Sequence, residues 1–337
     1  MITKTRTGIL MTEFAPLHLG HLMDINYAAG QVDTLHIIIT PSQNSYKTPT
    51  LQDVTRWLQN SCQDFGFIKI HHTDSLELPK LTAYFDYTKD AAGQDSLNAA
   101  IQALGLDAPE VFSKTAADSK LILPKTLYDT LAIKEQVLRY FSYLAPACRY
   151  FYTHTLAVVG GESSGKTTLV HKLKNHYGAS VALEMGRLYS DSHLGGSELA
   201  LQYSDYTSIA TLHAHAIDTA RLSATAAVTF IDTDFVTTQA FCETYEGRSN
   251  PVVEAYIKEY RLDSTLYLDN NVKWVADGIR RLGGSHRTAF AEKLLSLHKK
   301  HDIDLYKIDH PDYHIRYEQA VAYIDKLLGL TPLEYVS

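Results

Sequence analysis

The stretch Gly160-Gly161-Glu162-Ser163-Ser164-Gly165-Lys166-Thr167 has the spacing GxxxxGK[ST], with an apolar run before it and a helical pattern after it. That is the setting in which this spacing binds polyphosphate. Gly160 and Gly165 let the backbone wrap a phosphate with its N–H groups, and a helix N-terminus adds partial positive charge. Lys166 suits the β- and γ-phosphates of ATP, Thr167 offers a hydroxyl to Mg2+, and Thr168 follows in the first helical turn. Downstream, Thr229-Phe230-Ile231-Asp232-Thr233-Asp234 places two carboxylates after an apolar strand, at the strand end where α/β sheets bind ligands. If the strand continued, alternation would point Asp232 and Asp234 the same way. One would orient magnesium through water and the other would accept the proton of an attacking hydroxyl; the sequence does not say which. Trp274 to Arg281 closes on the paired cations Arg280 and Arg281. They suit a mobile lid over a leaving phosphate, or plain solvation on a surface helix.

A second centre lies near the N-terminus, in Phe14-Ala15-Pro16-Leu17-His18-Leu19-Gly20-His21. His18 and His21 bracket the start of a helix, where they can hydrogen-bond phosphate oxygens as a nucleotide phosphate attacks an α-phosphorus and pyrophosphate leaves. Gly20 lets the backbone come close.

Positioning these groups requires two successive α/β patterns. Gly8–Met11, Leu35–Thr40 and Phe67–His71 read as strands, and Gly20–Ala29 as a helix. Leu51–Cys62 is helical with Val54, Trp57 and Leu58 on one side. Asp95–Leu104 is a helix closed by Gly105. Ile133–Leu144 reads as an amphipathic helix ending before Pro146. The pattern then restarts with strand Thr155–Val159, helix Thr167–Tyr177 ended by Gly178, and strands Ala226–Ile231 and Thr265–Leu268. Alternating strands and helices imply parallel sheets with helices on their faces. The expected fold is therefore α/β in two tandem domains, 1–150 and 151–337.

Composition agrees with that size. At 337 residues and 45% hydrophobic content, the chain fits two cores of ordinary size. No apolar run approaches the roughly 18 residues of a membrane span, and no secretion signal opens the chain. Cys62, Cys148 and Cys242 have no zinc or disulfide spacing, so free thiols in a reducing cytoplasm are expected. A formal net charge of −7 argues against a basic nucleic-acid surface. Self-association is not decided by sequence.

Six ordered blocks make the second half specific: Gly160 to Lys166, Glu184-Met185-Gly186-Arg187, Ala200 to Tyr206, Phe230 to Cys242, Tyr245-Glu246-Gly247, and Asn271 to Arg280. They closely resemble the ribosylnicotinamide kinase domain of the bifunctional bacterial nicotinamide-nucleotide adenylyltransferase/ribosylnicotinamide kinase family. The resemblance implies a P-loop kinase fold that phosphorylates the 5′-hydroxyl of nicotinamide riboside with ATP, giving nicotinamide mononucleotide. It favours Asp232 for magnesium and base work, and marks Glu184, Arg187, Gln202, Tyr203, Asp205 and Trp274 as candidates for the riboside pocket.

The first half resembles the adenylyltransferase domain of the same family, with a Rossmann-like nucleotidyltransferase fold. Phe14, His18, Gly20 and His21 would then form an ATP site, and the mononucleotide would be joined to an adenylyl group to give NAD. Two departures stand out. Thr12-Glu13 replaces the family's Gly-Lys, and no arginine of a Ser-x-Thr-x-x-Arg element precedes Arg139. Lys125 or Lys134 could substitute, without the bidentate fork of arginine. The alternatives are a domain that has lost this chemistry or one that senses nucleotide. Some family members carry an N-terminal helix-turn-helix; seven residues precede the first strand here, so no nucleic-acid module is expected.

Overall fold

The computed structural model describes residues 5–42, 46–76, 91–113, 121–122, 128–196, 200–272 and 285–330. The chain divides into two compact units, Met1–Tyr152 and Thr153–Ser337.

The first unit runs β1 (Thr7–Thr12), α1 (Leu19–Ala29), β2 (Thr34–Ile39), α2 (Leu51–Ser61), β3 (Ile68–His72), α3 (Ala91–Ala103), β4 (Glu110–Ser113), β5 (Leu121–Ile122), α4 (Thr130–Glu135) and α5 (Pro146–Tyr152). Its strands form one parallel sheet in the order β3-β2-β1-β4-β5. Central strands of such a sheet are covered on both faces and so lose their polar alternation. Leu35, Ile37, Ile38 and Ile39 of β2 are accordingly all buried. The α2 helix starts at a capping box: Thr50 Oγ1 accepts from the Asp53 N–H at 3.1 Å, and Asp53 Oδ2 accepts from the Thr50 N–H at 3.0 Å. Val54, Trp57 and Leu58 of this helix are buried together, as their spacing requires.

The segment 133–144 is not one helix. The α4 helix stops at Glu135, a short 3-10 turn covers Phe141–Tyr143, and Pro146 begins α5. Proline is well placed in a first helical turn, where its missing N–H has no partner to lose. The reading of Pro146 as a terminator mistook a start for a stop.

The second unit runs β6 (His154–Gly160), α6 (Lys166–Tyr177), β7 (Ser180–Ala182), α7 (Met185–His193), α8 (Asp205–Leu222), β8 (Val228–Asp232), α9 (Phe235–Glu246), α10 (Pro251–Glu259), β9 (Ser264–Leu268), α11 (Ser285–Lys300), β10 (Leu305–Ile308) and α12 (Tyr313–Leu328). Its parallel sheet has the order β10-β9-β6-β8-β7. The chain fills one side of β6 and then the other, so the crevice at the carboxyl end of β6 is the topological switch point where such sheets bind ligands. Ala157, Val159, Ile231, Ala210, Ile217 and Phe235 are buried in one cluster that holds α8 and α9 against the sheet.

Candidate functional site

The loop after β6 carries the residues expected to bind phosphate. Gly165 precedes α6 with φ +89°, a left-handed conformation that other residues adopt only under strain. Lys166 opens the helix and is buried; its Nζ donates to the carbonyls of Gly160 and Gly161, 3.1 Å from each. Thr167 Oγ1 donates to Asp232 Oδ2 at 2.7 Å. Thr168 is exposed on the same turn. The sequence-predicted groups Lys166, Thr167 and Asp232 thus meet at the ends of β6 and β8.

The two carboxylates that follow β8 do different things. Asp232 is buried at the strand end, and its Oδ1 has no hydrogen-bond partner among the described residues. Burial pushes its carboxyl above the ordinary range and the Glu184 charge adds to this, while Lys166 and Thr167 pull the other way. A carboxylate made more basic in this way is suited to accepting a proton.

Asp234 does not point with Asp232, and its reading as an alternative base is corrected. Thr233 has φ +71°, so the strand breaks between them. A β-branched residue in that region is an outlier of the kind concentrated at functional sites. Asp234 instead caps α9, with Oδ1 accepting from the Thr237 N–H at 2.8 Å and the Thr237 hydroxyl at 2.7 Å. Its Oδ2 lies 2.8 Å from His298 Nε2, and His298 Nδ1 lies 2.8 Å from the carbonyl of Leu294. Both ring nitrogens face oxygen, which suits an imidazolium donating twice. Burial works against the charges on both groups. Mutual attraction prevails, raising the His298 pKa and lowering that of Asp234.

Two arginines hold the loop from behind. Arg316, 1% exposed, donates Nη1 to the Ser164 carbonyl at 3.0 Å and Nη2 to the Asp269 carbonyl at 2.8 Å. Arg287 Nε donates to the Glu162 carbonyl at 3.1 Å. Neither was among the residues expected from sequence. One signal existed: Arg316, Ala320, Ile324 and Leu328 form the buried stripe of α12, and an arginine at the head of an apolar i, i+4 stripe has an internal job.

Beside Asp232 lies a narrow cleft lined by Glu184, Tyr206, His213, Thr233, Phe241 and Tyr245, among others. Its free space is about 40 Å³, little more than one water, so a larger ligand enters only if the walls move. Of the residues expected in a substrate pocket, Glu184 lines this cleft. Asp205 accepts from the Tyr189 hydroxyl at 3.0 Å and the Gln202 N–H at 2.8 Å. The Tyr203 hydroxyl donates to the Ser249 carbonyl at 2.9 Å, with the Arg248 guanidinium 3.6 Å over its ring. Arg187 and Gln202 are exposed. Trp274, Arg280, Arg281 and Lys125 lie outside the described residues. A larger cavity of about 650 Å³, between Tyr260, Asp263, Asp304 and Tyr323, is lined by Asp234 but, like the cleft, by neither Asp232 nor any residue of the phosphate loop.

In the first unit, His18 caps α1. Its Nδ1 accepts from the Gly20 N–H at 3.1 Å, and its Nε2 lies 3.1 Å from Thr130 Oγ1. A ring nitrogen that accepts from an N–H carries no proton, so neutral His18 is protonated at Nε2. The His18 and His21 rings stack with centroids 3.7 Å apart, and Phe14 meets His21 edge-on at 5.2 Å. A Cβ on Gly20 would fall 2.8 Å from the His18 ring, so the motif's glycine is required by close approach. Glu13 is buried and pairs with Lys134, Oε1 to Nζ 2.8 Å.

Residues 155–316 match the domain family described as an AAA domain. The chain is 37% identical to the trifunctional NAD biosynthesis/regulator protein NadR of Escherichia coli strain K12, covering 97% of this chain and 84% of that protein. It is 38% identical to the protein of the same description from Salmonella typhimurium strain LT2, covering 96% and 83%. Among solved structures, a NadR protein in complex with NR superposes with a TM-score of 0.72 at 20% identity, over 99% of this chain and 98% of that one. A NadR protein in complex with NAD and AMP-PNP gives 0.69 at 19% identity over the same shares. These two likenesses establish a common fold.

Proposed function

The chain belongs to the NadR family of NAD biosynthesis proteins, and from that premise we propose that its second unit is a ribosylnicotinamide kinase that phosphorylates nicotinamide riboside with ATP. The observation that carries the reading is the contact of Thr167 with Asp232 at 2.7 Å, which puts a basic, buried carboxylate at the mouth of a phosphate-binding loop. The loop N–H groups and Lys166 hold the β- and γ-phosphates. Glu184 and the aromatic walls of the cleft receive the riboside. Asp232 accepts the proton of the riboside 5′-hydroxyl as its oxygen bonds the γ-phosphorus and the bond to the leaving ADP oxygen breaks.

The donor set fits a hard divalent cation: a hydroxyl beside a carboxylate whose second oxygen is buried without a partner among the described residues. Magnesium held by Thr167 and Asp232 would neutralise charge on the phosphates. The first unit we read as the adenylyltransferase of the pair, in a Rossmann-like sheet whose order β3-β2-β1-β4-β5 supports that reading. His18, through Nε2–H, and His21 would stabilise the departing pyrophosphate as the mononucleotide phosphate attacks the α-phosphorus, giving NAD.

The kinase assignment is tested by chromatographic detection of nicotinamide mononucleotide from riboside, ATP and magnesium. Wild type forms it and Asp232→Asn loses it by about 10²- to 10⁴-fold, the usual contribution of a positioned base. Undiminished turnover in Asp232→Asn would remove Asp232 from the mechanism.

A further inference from the structure

Glu13 is the residue between β1 and the Phe14-to-His21 motif, and it is 6% exposed; its partner Lys134 is 14% exposed. Removing a carboxylate and an ammonium from water is costly unless each has the other, so neither is placed there incidentally. Lys134 stands one turn after Thr130 on α4, and residues so spaced share a helix face. That face therefore meets the motif twice: Thr130 Oγ1 at His18 Nε2, and Lys134 Nζ at Glu13 Oε1. Burial pushes the Glu13 carboxyl up and Lys134 draws it down without cancelling the rise, the mark of a carboxylate kept in the interior against its solvation.

A site that takes a nucleoside triphosphate has to offer cations to the polyphosphate. Here an ammonium on the helix face that contacts His18 is already seated on a carboxylate of the same chain. We propose that Glu13 is a built-in competitor for nucleoside triphosphate in the first unit: it occupies Lys134 as a substrate phosphate would, so a nucleoside triphosphate must displace it and adenylyl transfer is throttled. This rests on reading the first unit as an adenylyltransferase. The departures at Glu13 and at the missing arginine then form one compensated change, in which a carboxylate and a lysine neutralise each other.

The test uses the full chain with Lys166→Ala to suppress binding at the phosphate loop, titrated calorimetrically with α,β-methylene ATP. Glu13→Gln in that background binds about tenfold more tightly, and the gain disappears when Lys134→Met is added. Affinity unchanged by Glu13→Gln, or a gain that survives Lys134→Met, overturns the proposal. The thermal unfolding profile of Glu13→Gln against the parent, which includes the first unit, serves as the control for folding. Should that variant fold poorly, the charge-exchanged pair Glu13→Lys with Lys134→Glu keeps the neutralisation and binds no more tightly than the parent; tighter binding overturns the proposal equally. NAD formation from the mononucleotide separates the two layers. Tighter binding in Glu13→Gln with no NAD from any variant keeps Glu13 as a brake on triphosphate binding and removes the adenylyltransferase reading.

Discussion

Replacing His298 by alanine strips the buried Asp234 carboxylate of the imidazolium beside it while leaving the carboxylate in place. Asp234 and His298 are 4% and 0% exposed, and Asp234 would keep the two bonds from Thr237 but lose the imidazolium at 2.8 Å. Breaking a buried pair from one side costs about 3–5 kcal/mol, because the remaining charge stays desolvated. The assay is urea unfolding of wild type and variant, followed by the loss of helix signal from the second unit. The pH dependence carries the sign of both shifts. His298 is raised from its ordinary 6.5, so its contribution is complete below 6.5 and fades as pH climbs through the raised value. Asp234 is lowered from 3.8, so its contribution is complete above 3.8 and fades as pH falls through the lowered value. The gap between wild type and His298→Ala is therefore widest between about pH 4 and pH 6.5 and narrows on the alkaline side. A loss below about 1 kcal/mol, the ordinary worth of an exposed pair, would refute the reasoning, as would a gap that goes on widening as pH rises above about 6.5.

Asp234→Asn destabilises the second unit but leaves folded enzyme able to phosphorylate riboside, the reverse of Asp232→Asn; equal loss of turnover per folded molecule in both would restore Asp234 as a base. Arg316→Met removes the bonds to Ser164 and Asp269 and raises KM for ATP by about tenfold, the effect of losing roughly 1.4 kcal/mol of loop positioning. The riboside KM changes little; initial-rate kinetics with each substrate varied in turn would show a lower kcat and both KM values unchanged if Arg316 served folding alone. Gly20→Ala drives a methyl into the His18 ring and depresses NAD formation from the mononucleotide while riboside phosphorylation persists; two unaltered rates would show that the histidine geometry is dispensable.

What the sequence made legible was local. The phosphate loop and the histidine motif are each contiguous, and their backbone bonds and caps form within a few residues. The second carboxylate was misread because strand alternation assumes the strand continues, and Thr233 leaves it with a positive φ. His298 and Arg316 could not be placed at all. They lie 64 and 152 residues from Asp234 and Ser164, the groups they bind, and only the closing of helices onto the sheet brings such pairs together. Glu13 was visible as a departure from the motif. Its meaning needed Lys134, 121 residues on.

The most direct test supplies ATP and magnesium to wild type and to Lys166→Ala, with nicotinamide riboside in one vessel and its mononucleotide in another, and follows both products. Wild type converts riboside to mononucleotide, and Lys166→Ala does not, while its slow NAD formation from added mononucleotide matches wild type. Riboside left untouched by wild type, or phosphorylated equally by Lys166→Ala, would contradict the assignment of the phosphate loop as the kinase site.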